Sequence, residues 1–305
     1  MKISQFPGDA ITATVRNAML EVSNVLQIAE FYSIVGNADY TRKAASATGG
    51  QFRALNTNYP DNPVDPSFAN PTLKIFGDQV QVDRAHERRG SDVASVRASE
   101  LLTFAKNCGK QFQNNFINGD AAVDVKQFNG LKKIMPGGQK VPAAQNGFSV
   151  PLGNSDANKT AQQQFIELVN SMIDRVDGGA QALLMDGKTL DRLTSIAPVT
   201  WTVNEFGTRI AYFNNLPILV SGYDKDGNRI LSHTEAVGNS GNVCTSIYGF
   251  RFGEASDLSF ATNVGVEVKD LGLVGVHYTH SVDFDLDLVL LNDKSVARLE
   301  GIIIV

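Results

Sequence analysis

Few groups of residues in this chain combine the types and the spacing that chemistry needs. The segment MDGKT (185–189) ends like a phosphate-binding loop, in which a glycine-rich turn cradles phosphate oxygens with backbone N–H groups and a lysine reaches them. That chemistry needs a glycine five positions before the Gly-Lys-Thr, and Ala182 stands there; Gly178 and Gly179 lie further upstream. A turn followed by a helix N-cap is the better reading. DKDGN (224–228) opens like a calcium loop, and Glu235 falls where the bidentate twelfth-position ligand belongs. Such a loop lies between helices, whereas the flanks PILVSG and RILSHT are β-like. An Asp-Gly hairpin turn accounts for the segment without metal.

His277 and His280 are three apart, which makes neighbours on a helix but opposite faces on a strand, so zinc is not expected. Asp283, Asp285 and Asp287 share one face of the same strand, about 7 Å apart. A solvated edge or a contact to another subunit is favoured there over a bound cation. GNSGN (238–242) lacks the spacing of a nucleophile elbow and reads as a loop. His86 has no recognisable partner, and the basic cluster around it, Arg84, Arg88 and Arg89, is suited to acidic groups of a neighbouring chain. Trp201, with Phe206, Tyr212 and Phe213, reads as core or interface, with a stacking platform for nucleic acid as the lesser alternative. No catalytic residue, cofactor or metal site is expected from these patterns.

The elements that would position these residues begin with ten residues that read as a loose arm. Val15, Met19, Val22, Leu26 and Ala29 follow at helical spacing and predict a helix over 12–34. Residues 36–90 are rich in Gly and Pro, with four prolines between Pro60 and Pro71. They hold two short alternating pieces, QFRAL (51–55) and LKIFGDQVQVDRA (73–85), that look like hairpin arms. A loop of this length inside a compact domain is usually functional. From Ser91 to Asn118 an apolar stripe runs through Ala94, Ala98, Leu101, Ala105, Cys108, Phe112 and Phe116, predicting a long helix capped by Ser91 or Asp92, with a bend possible at Gly109. Residues 120–135 predict one or two strands. Thr160 and Gln163 form a capping box for a helix with Phe165, Val169 and Met172 inside. ALLM (182–185) predicts a buried strand and 189–196 a short helix. From Val199 onward the pattern is mostly β, ending in a strictly alternating strand over 276–292.

The 305 residues and 32.9 kDa exceed what one core usually holds. Hydrophobic residues reach 43%, but only 19% are charged, which is low for a freely diffusing chain. A net charge of −5 argues against gripping nucleic acid through its phosphates. No apolar run approaches the roughly 20 residues that span a bilayer, and the start MKISQFPGDA lacks the apolar core of a signal peptide. Cys108 and Cys244, far apart in sequence, fit a reduced setting as small hydrophobes.

The order of elements, more than any single motif, carries a resemblance. The long helix running into FINGD (116–120), then FNGLKKI (128–134) and NNLPILVSG (214–222), resembles the major capsid protein of tailed bacteriophages, a fold shared with encapsulin shells. The resemblance implies an α+β fold with an N-terminal arm (1–35) and an extended loop (36–90). It implies a peripheral domain (91–135 and 256–305) built on a spine helix (91–118), and an axial domain (136–255). It further implies a subunit without enzymatic activity that assembles as hexamers and pentamers into an icosahedral virion around double-stranded DNA. Assembly would occur in the host cytoplasm, with a separate scaffolding protein and a portal and with no membrane. Arg42, Lys43, Arg53, Arg84, Arg88 and Arg89 are the candidate inter-subunit contacts. An encapsulin-type shell around an enzyme cargo is the nearest alternative. A hydrolase using His277, Asp283 and Asp285 is the alternative of another class.

Overall fold

The computed structural model describes residues 1–36, 41–43, 50, 52–59, 67–90, 92–204 and 207–304. Its helices are α1 (Ala10–Val22), α2 (Asn24–Ile28), α3 (Ala85–Arg88), α4 (Val93–Asn118), α5 (Leu131–Ile134), α6 (Asp156–Asp174) and α7 (Gly187–Ile196). Its strands are β1 (Phe31–Ser33), β2 (Thr41–Arg42), β3 (Phe68–Ala69), β4 (Lys74–Asp83), β5 (Lys140–Pro142), β6 (Phe148–Val150), β7 (Ala182–Met185) and β8 (Thr200–Val203). They continue with β9 (Arg209–Phe213), β10 (Leu216–Val220), β11 (Glu235–Ala236), β12 (Asn242–Phe250), β13 (Leu258–Val274), β14 (His277–Leu290) and β15 (Val296–Ile304).

The strands form two large sheets. One has four strands in the order β1-β13-β14-β4, with β1 parallel to β13 and the rest antiparallel. The other follows the path β5-β15-β12-β7-β10-β9-β8, with β6 added on β15 and β11 on β12. The first sheet and α1, α2 and α4 enclose one apolar cluster, which holds Val15, Met19, Phe112, Phe116, Phe260 and Phe284. The second encloses another, with Phe165, Val169 and Met172 of α6 and Leu190 and Leu193 of α7 against Leu183, Ile247 and Leu299.

Helix α4 is 26 residues long, about 39 Å at 1.5 Å per residue. The Asp92 carboxylate accepts the Ala94 N–H at 3.1 Å and caps its first turn. The stripe read from the sequence is buried from Leu101 onward, but Ala94 and Ala98 stand open to solvent. Gly109 is explained by what crosses it. A Cβ there would come within 2.6 Å of Val22 Cγ2 and 2.7 Å of the Met19 carbonyl oxygen, so α1 packs directly on the α4 backbone.

Several expectations are corrected. The first ten residues are anchored to the fold at two side chains. Ile3 and Phe6 are buried, and the Phe31 N–H donates to the Met1 carbonyl at 2.7 Å. The helix expected over 12–34 is broken. Ser23 leaves helical backbone angles and its hydroxyl accepts the Leu26 N–H, starting α2, after which β1 pairs with Phe260–Thr262. Residues 52–55 form no strand. The second alternating piece is β4, paired along its length with β14 in the four-stranded sheet and not with a partner in the loop.

No strand forms over 120–135. Asp120 and Asp124 carboxylates accept the N–H groups of Ala122 and Lys126, turns that compete with a ladder. The Gly130 N–H then donates to the Gly119 carbonyl and α5 follows. Helix α6 starts a turn before Thr160, capped by Ser155, while the Thr160 hydroxyl donates back to the Asp156 carbonyl. The last strand, β15, joins the nine-stranded sheet through β12, so residues 256–305 contribute strands to both large sheets.

The close crossing predicts the behaviour of Gly109→Ala. In an exposed helix this change stabilises by about 1 kcal/mol. Here the added methyl must displace α1, and urea unfolding should show a net loss of about 1–3 kcal/mol.

Candidate assembly surface and its polar clusters

The described part of the loop between β1 and β4 exposes apolar side chains. Phe52 is wholly exposed and Leu55 is 88% exposed; Tyr59 and Phe68 are also open to solvent, as is Ile75 at the start of β4. A lone exposed leucine needs no explanation, but a run of large ones along a single loop marks an interaction surface.

The candidate contact residues separate into four groups. Lys43 Nζ lies 3.8 Å from Asp293 of its own chain. Arg53 sits over the Tyr59 ring at 5.3 Å and donates toward the Ala54 and Thr57 carbonyls, so it organises its own turn. The backbone of Arg42 pairs with Phe68 in the β2–β3 ladder; its side chain lies outside the described residues. Arg84, Arg88 and Arg89 gather on and beside the single turn of α3, with Arg88 and Arg89 exposed.

Sequence inspection missed an apolar cavity of about 420 Å³ at the open end of α4, where Ala94, Ala98 and Leu102 face Ile11 of α1. Its polar end is a cluster in which Arg97 donates to both Asp270 oxygens at 2.7 Å, with the Arg97 guanidinium 5.0 Å over the Tyr278 ring. His280 is buried there, 3.3 Å from Arg97. Burial, with the Arg97 charge, holds its imidazole below the ordinary range against the pull of Asp270. The sequence carries no signal for this site, because Ala94 and Ala98 continue the stripe of Leu101 and Ala105 and only the structure leaves them uncovered.

The chemical motifs are structural. Asp186 of MDGKT caps α7 by accepting the Lys188 N–H at 3.0 Å. It is buried and binds Arg229 at 2.7 Å and His233 at 2.8 Å. Burial raises its pKa, but these donors outweigh that effect and bring it down to about 2. A carboxylate at this place would repel a phosphate. Asp224 of DKDGN accepts the N–H groups of Asp226 and Asn228, a tight turn. Glu235 is not in that loop's reach. Its oxygens face Lys132, Ser246 and Arg298 in a separate cluster between α5 and β15, where these partners hold its carboxyl down against burial.

His277 and His280 face opposite sides of β14, as their spacing predicts. His277 and Asp283 lie six residues apart on that strand, about 20 Å, so no His/Asp pair forms between them. The aspartate face is not a sheet edge, because β14 runs between β13 and β4. Asp285 accepts from the Asn263 amide at 3.0 Å and Asp287 from the Thr72 N–H at 2.9 Å; Asp283 is exposed. Trp201 lies on the surface strand β8 beneath Arg209, while Phe213 is core and Phe206 is outside the described residues. Among the described residues no group of three His, Cys, Asp or Glu is placed to hold a metal. The Cys108 thiol is pushed up to about 12 by burial, which leaves it inert.

Neither a family model nor a curated protein matches the sequence. Solved structures do match the fold. The holo-SrpI encapsulin complex from Synechococcus elongatus is similar at TM-score 0.63 and 14% identity, over 92% of this chain and 87% of that one. The capsid of the native GTA particle is similar at TM-score 0.62 and 12% identity, over 98% and 94%. Mycobacterium phage Bobi gives TM-score 0.56 and 12% identity, over 93% and 90%. The chain therefore has the α+β fold of tailed-phage major capsid proteins, shared with encapsulin shells.

Asp287 gives a pH test of this loop attachment. Burial raises its pKa to about 6, against the Thr72 N–H and the Lys74 charge. The unfolded value is about 3.9. Its contribution to stability is thus full below about pH 4 and is lost as the pH rises through about 6. Asp287→Asn should remove that dependence. Relative to the parent chain, the variant should gain about 1–2 kcal/mol at pH 8 and nothing at pH 4 in denaturant titrations.

Proposed function

We propose that this chain is the structural subunit of an icosahedral viral capsid, assembling as hexamers and pentamers that enclose double-stranded DNA, with no enzymatic activity. The observation that carries this reading is the loop before β4, which exposes Phe52, Leu55, Tyr59 and Phe68 on a chain whose fold is that of shell subunits. Such a segment has no core of its own and is stabilised by burial on a neighbour. A closed shell adds many modest contacts. The net charge of −5 suits an inner wall from which packaged DNA can slide.

In this reading residues 1–35 and 36–90 are the arm and the extended loop, 91–135 with 256–305 the peripheral domain, and 136–255 the axial domain. The partners are further copies of the chain, a separate scaffolding protein, a portal and DNA bound without sequence preference. The location is the virion, assembled in the host cytoplasm. No helix among the described residues is long and apolar enough to cross a membrane.

One observation favours an encapsulin-type shell as the second reading. The apolar cavity beside Ile11 and Ala98 lies next to the N-terminal helix, where a cargo segment would find apolar contacts and a charged end at Arg97 and Asp270. Retention of DNA or of an enzyme inside purified particles distinguishes the two.

Electron microscopy of the purified protein tests the shared claim, with closed particles as the expected result and a monomer under all conditions as the result that overturns it. Deletion of residues 45–70 should leave the circular dichroism spectrum and cooperative melting intact while preventing particle closure. Unfolding by that deletion would make the loop part of the core and refute its role.

A further inference from the structure

We propose that Asn146 is a site of spontaneous covalent modification, at which the adjoining main-chain nitrogen and water convert the side-chain amide to a carboxylate. The inference is independent of the shell reading.

The chain has three Asn-Gly bonds, at Asn118, Asn129 and Asn146. Glycine has no Cβ to shield its backbone nitrogen, so each of these nitrogens could attack the amide carbon of the asparagine before it. The state of that nitrogen separates the three. The Gly119 N–H donates to the Asn115 carbonyl at 2.9 Å at the end of α4, and Gly119 is buried. The Asn118 amide nitrogen is tied as well, donating to Asn114 Oδ1 at 2.8 Å and to the Ile230 carbonyl at 2.9 Å. The Gly130 N–H donates to the Gly119 carbonyl at 2.9 Å. Gly130 is buried so closely that a Cβ would come within 2.8 Å of the Gly119 nitrogen. Neither nitrogen turns onto its asparagine without local unfolding.

Asn146 differs at the atoms the reaction uses. It is exposed, in the turn between β5 and β6. The Gly147 N–H reaches the Ala144 carbonyl only at 3.3 Å, beyond the ordinary range of an N–H···O bond. Gly147 holds φ at +87°, a conformation that glycine enters and leaves without steric cost. Among the described residues nothing hydrogen-bonds Nδ2, the leaving group. Oδ1 accepts the Asn239 N–H at 3.1 Å. That donor meets the oxygen on which negative charge develops when the amide carbon is attacked. Gly238 lets the two turns approach, since a Cβ there would lie 2.7 Å from Asn146 Oδ1. Asn129 Oδ1 also accepts an N–H, from Ala121 at 2.9 Å, so the glycine nitrogen and not the donor decides between these two sites.

The step needs only water and hydroxide. Hydroxide removes the Gly147 amide proton, and the nitrogen bonds to Asn146 Cγ. The Cγ–Nδ2 bond breaks, and Nδ2 leaves as ammonia with a proton returned from water. The product is a cyclic imide, and no electron changes hands. Water then adds to either imide carbonyl. Breaking the bond from the Gly147 nitrogen to Cγ leaves an aspartate at position 146; breaking the bond to the backbone carbonyl carbon leaves an isoaspartate. Either product adds a negative charge to a chain already at −5. The isoaspartate form also runs the main chain through the side chain and lengthens the turn by a methylene.

The test keeps full-length protein in mildly alkaline buffer, folded and in urea, and maps its peptides by mass spectrometry over time. In urea the three asparagines should react at similar rates. In the folded chain Asn146 should react roughly tenfold or more faster than Asn118 and Asn129, which must first open. Its rate should rise with hydroxide concentration, and both aspartate and isoaspartate should appear. Asn146 intact in the folded chain while it reacts in urea overturns the assignment. So does reaction of folded Asn118 or Asn129 at an equal rate. Aspartate without isoaspartate means direct attack by water on the side chain and overturns the role of the Gly147 nitrogen.

Discussion

The structure depends on burial of one face of α4. Phe112 and Phe116 project from it into a cluster of phenylalanine rings. Phe112 stands 5.1 Å from Phe260, and Phe116 stands 5.6 Å from Phe250 and 6.0 Å from Phe252. Phe260 lies in β13 of the first sheet and Phe250 in β12 of the second, so one helix face ties both sheets to a common core. Rings at these distances attract beyond the area they bury, and an interior packed to crystal density transmits any change in one of them to the rest. The polar side of the same helix continues the job. Gln113 is buried and donates its amide to the Val220 and Ser221 carbonyls at the end of β10, and Asn118 donates to the Ile230 carbonyl. Buried carbonyls left without those donors would each carry a desolvation cost.

A frame held so tightly along one line leaves its margins to other partners. The cores are closed around α4 and around α6 and α7, yet the loop before β4, the first turns of α4 and the β13–β14 turn all present apolar side chains to solvent. Three charge clusters brace the frame. Asp186 holds Arg229 and His233, Glu235 holds Lys132 and Arg298, and Arg97 holds Asp270. Each cluster pins a turn or a strand end to its neighbour.

Much of this was legible in the residues themselves. The stripe from Leu101 to Phe116 and the alternation over 276–292 have periods that one backbone conformation alone can bury, so α4 and β14 could be read directly. The Ser23 break was hidden, because Val22, Leu26 and Ala29 keep helical spacing across it; a serine that caps a new helix looks locally like one inside a long helix. The segment 120–135 misled for a related reason. Val123 and Val125 suggest a strand, but both are exposed, and the aspartate turns around them prevail. Of the candidate contacts, the arginines near α3 were recognisable as a charged cluster, while the β13–β14 turn that adjoins them lies almost two hundred residues away in sequence.

The sequence alone determined α4 from Leu101 onward, the long strand β14 and the net charge of −5, because these follow from residue type and short-range spacing. The tertiary structure decided which elements share a sheet. It moved β4 out of the loop and onto β14, carried β15 to the second sheet, and placed Glu235 away from the turn that appeared to need it. It also decided which apolar residues remain uncovered. The pattern of Ala94 and Ala98 is the same as that of Leu101 and Ala105, and only the position of α1 and the sheet separates the exposed pair from the buried one. Strand pairing and helix crossing are long-range contacts, set by the packing of the whole chain, and no window of sequence contains them.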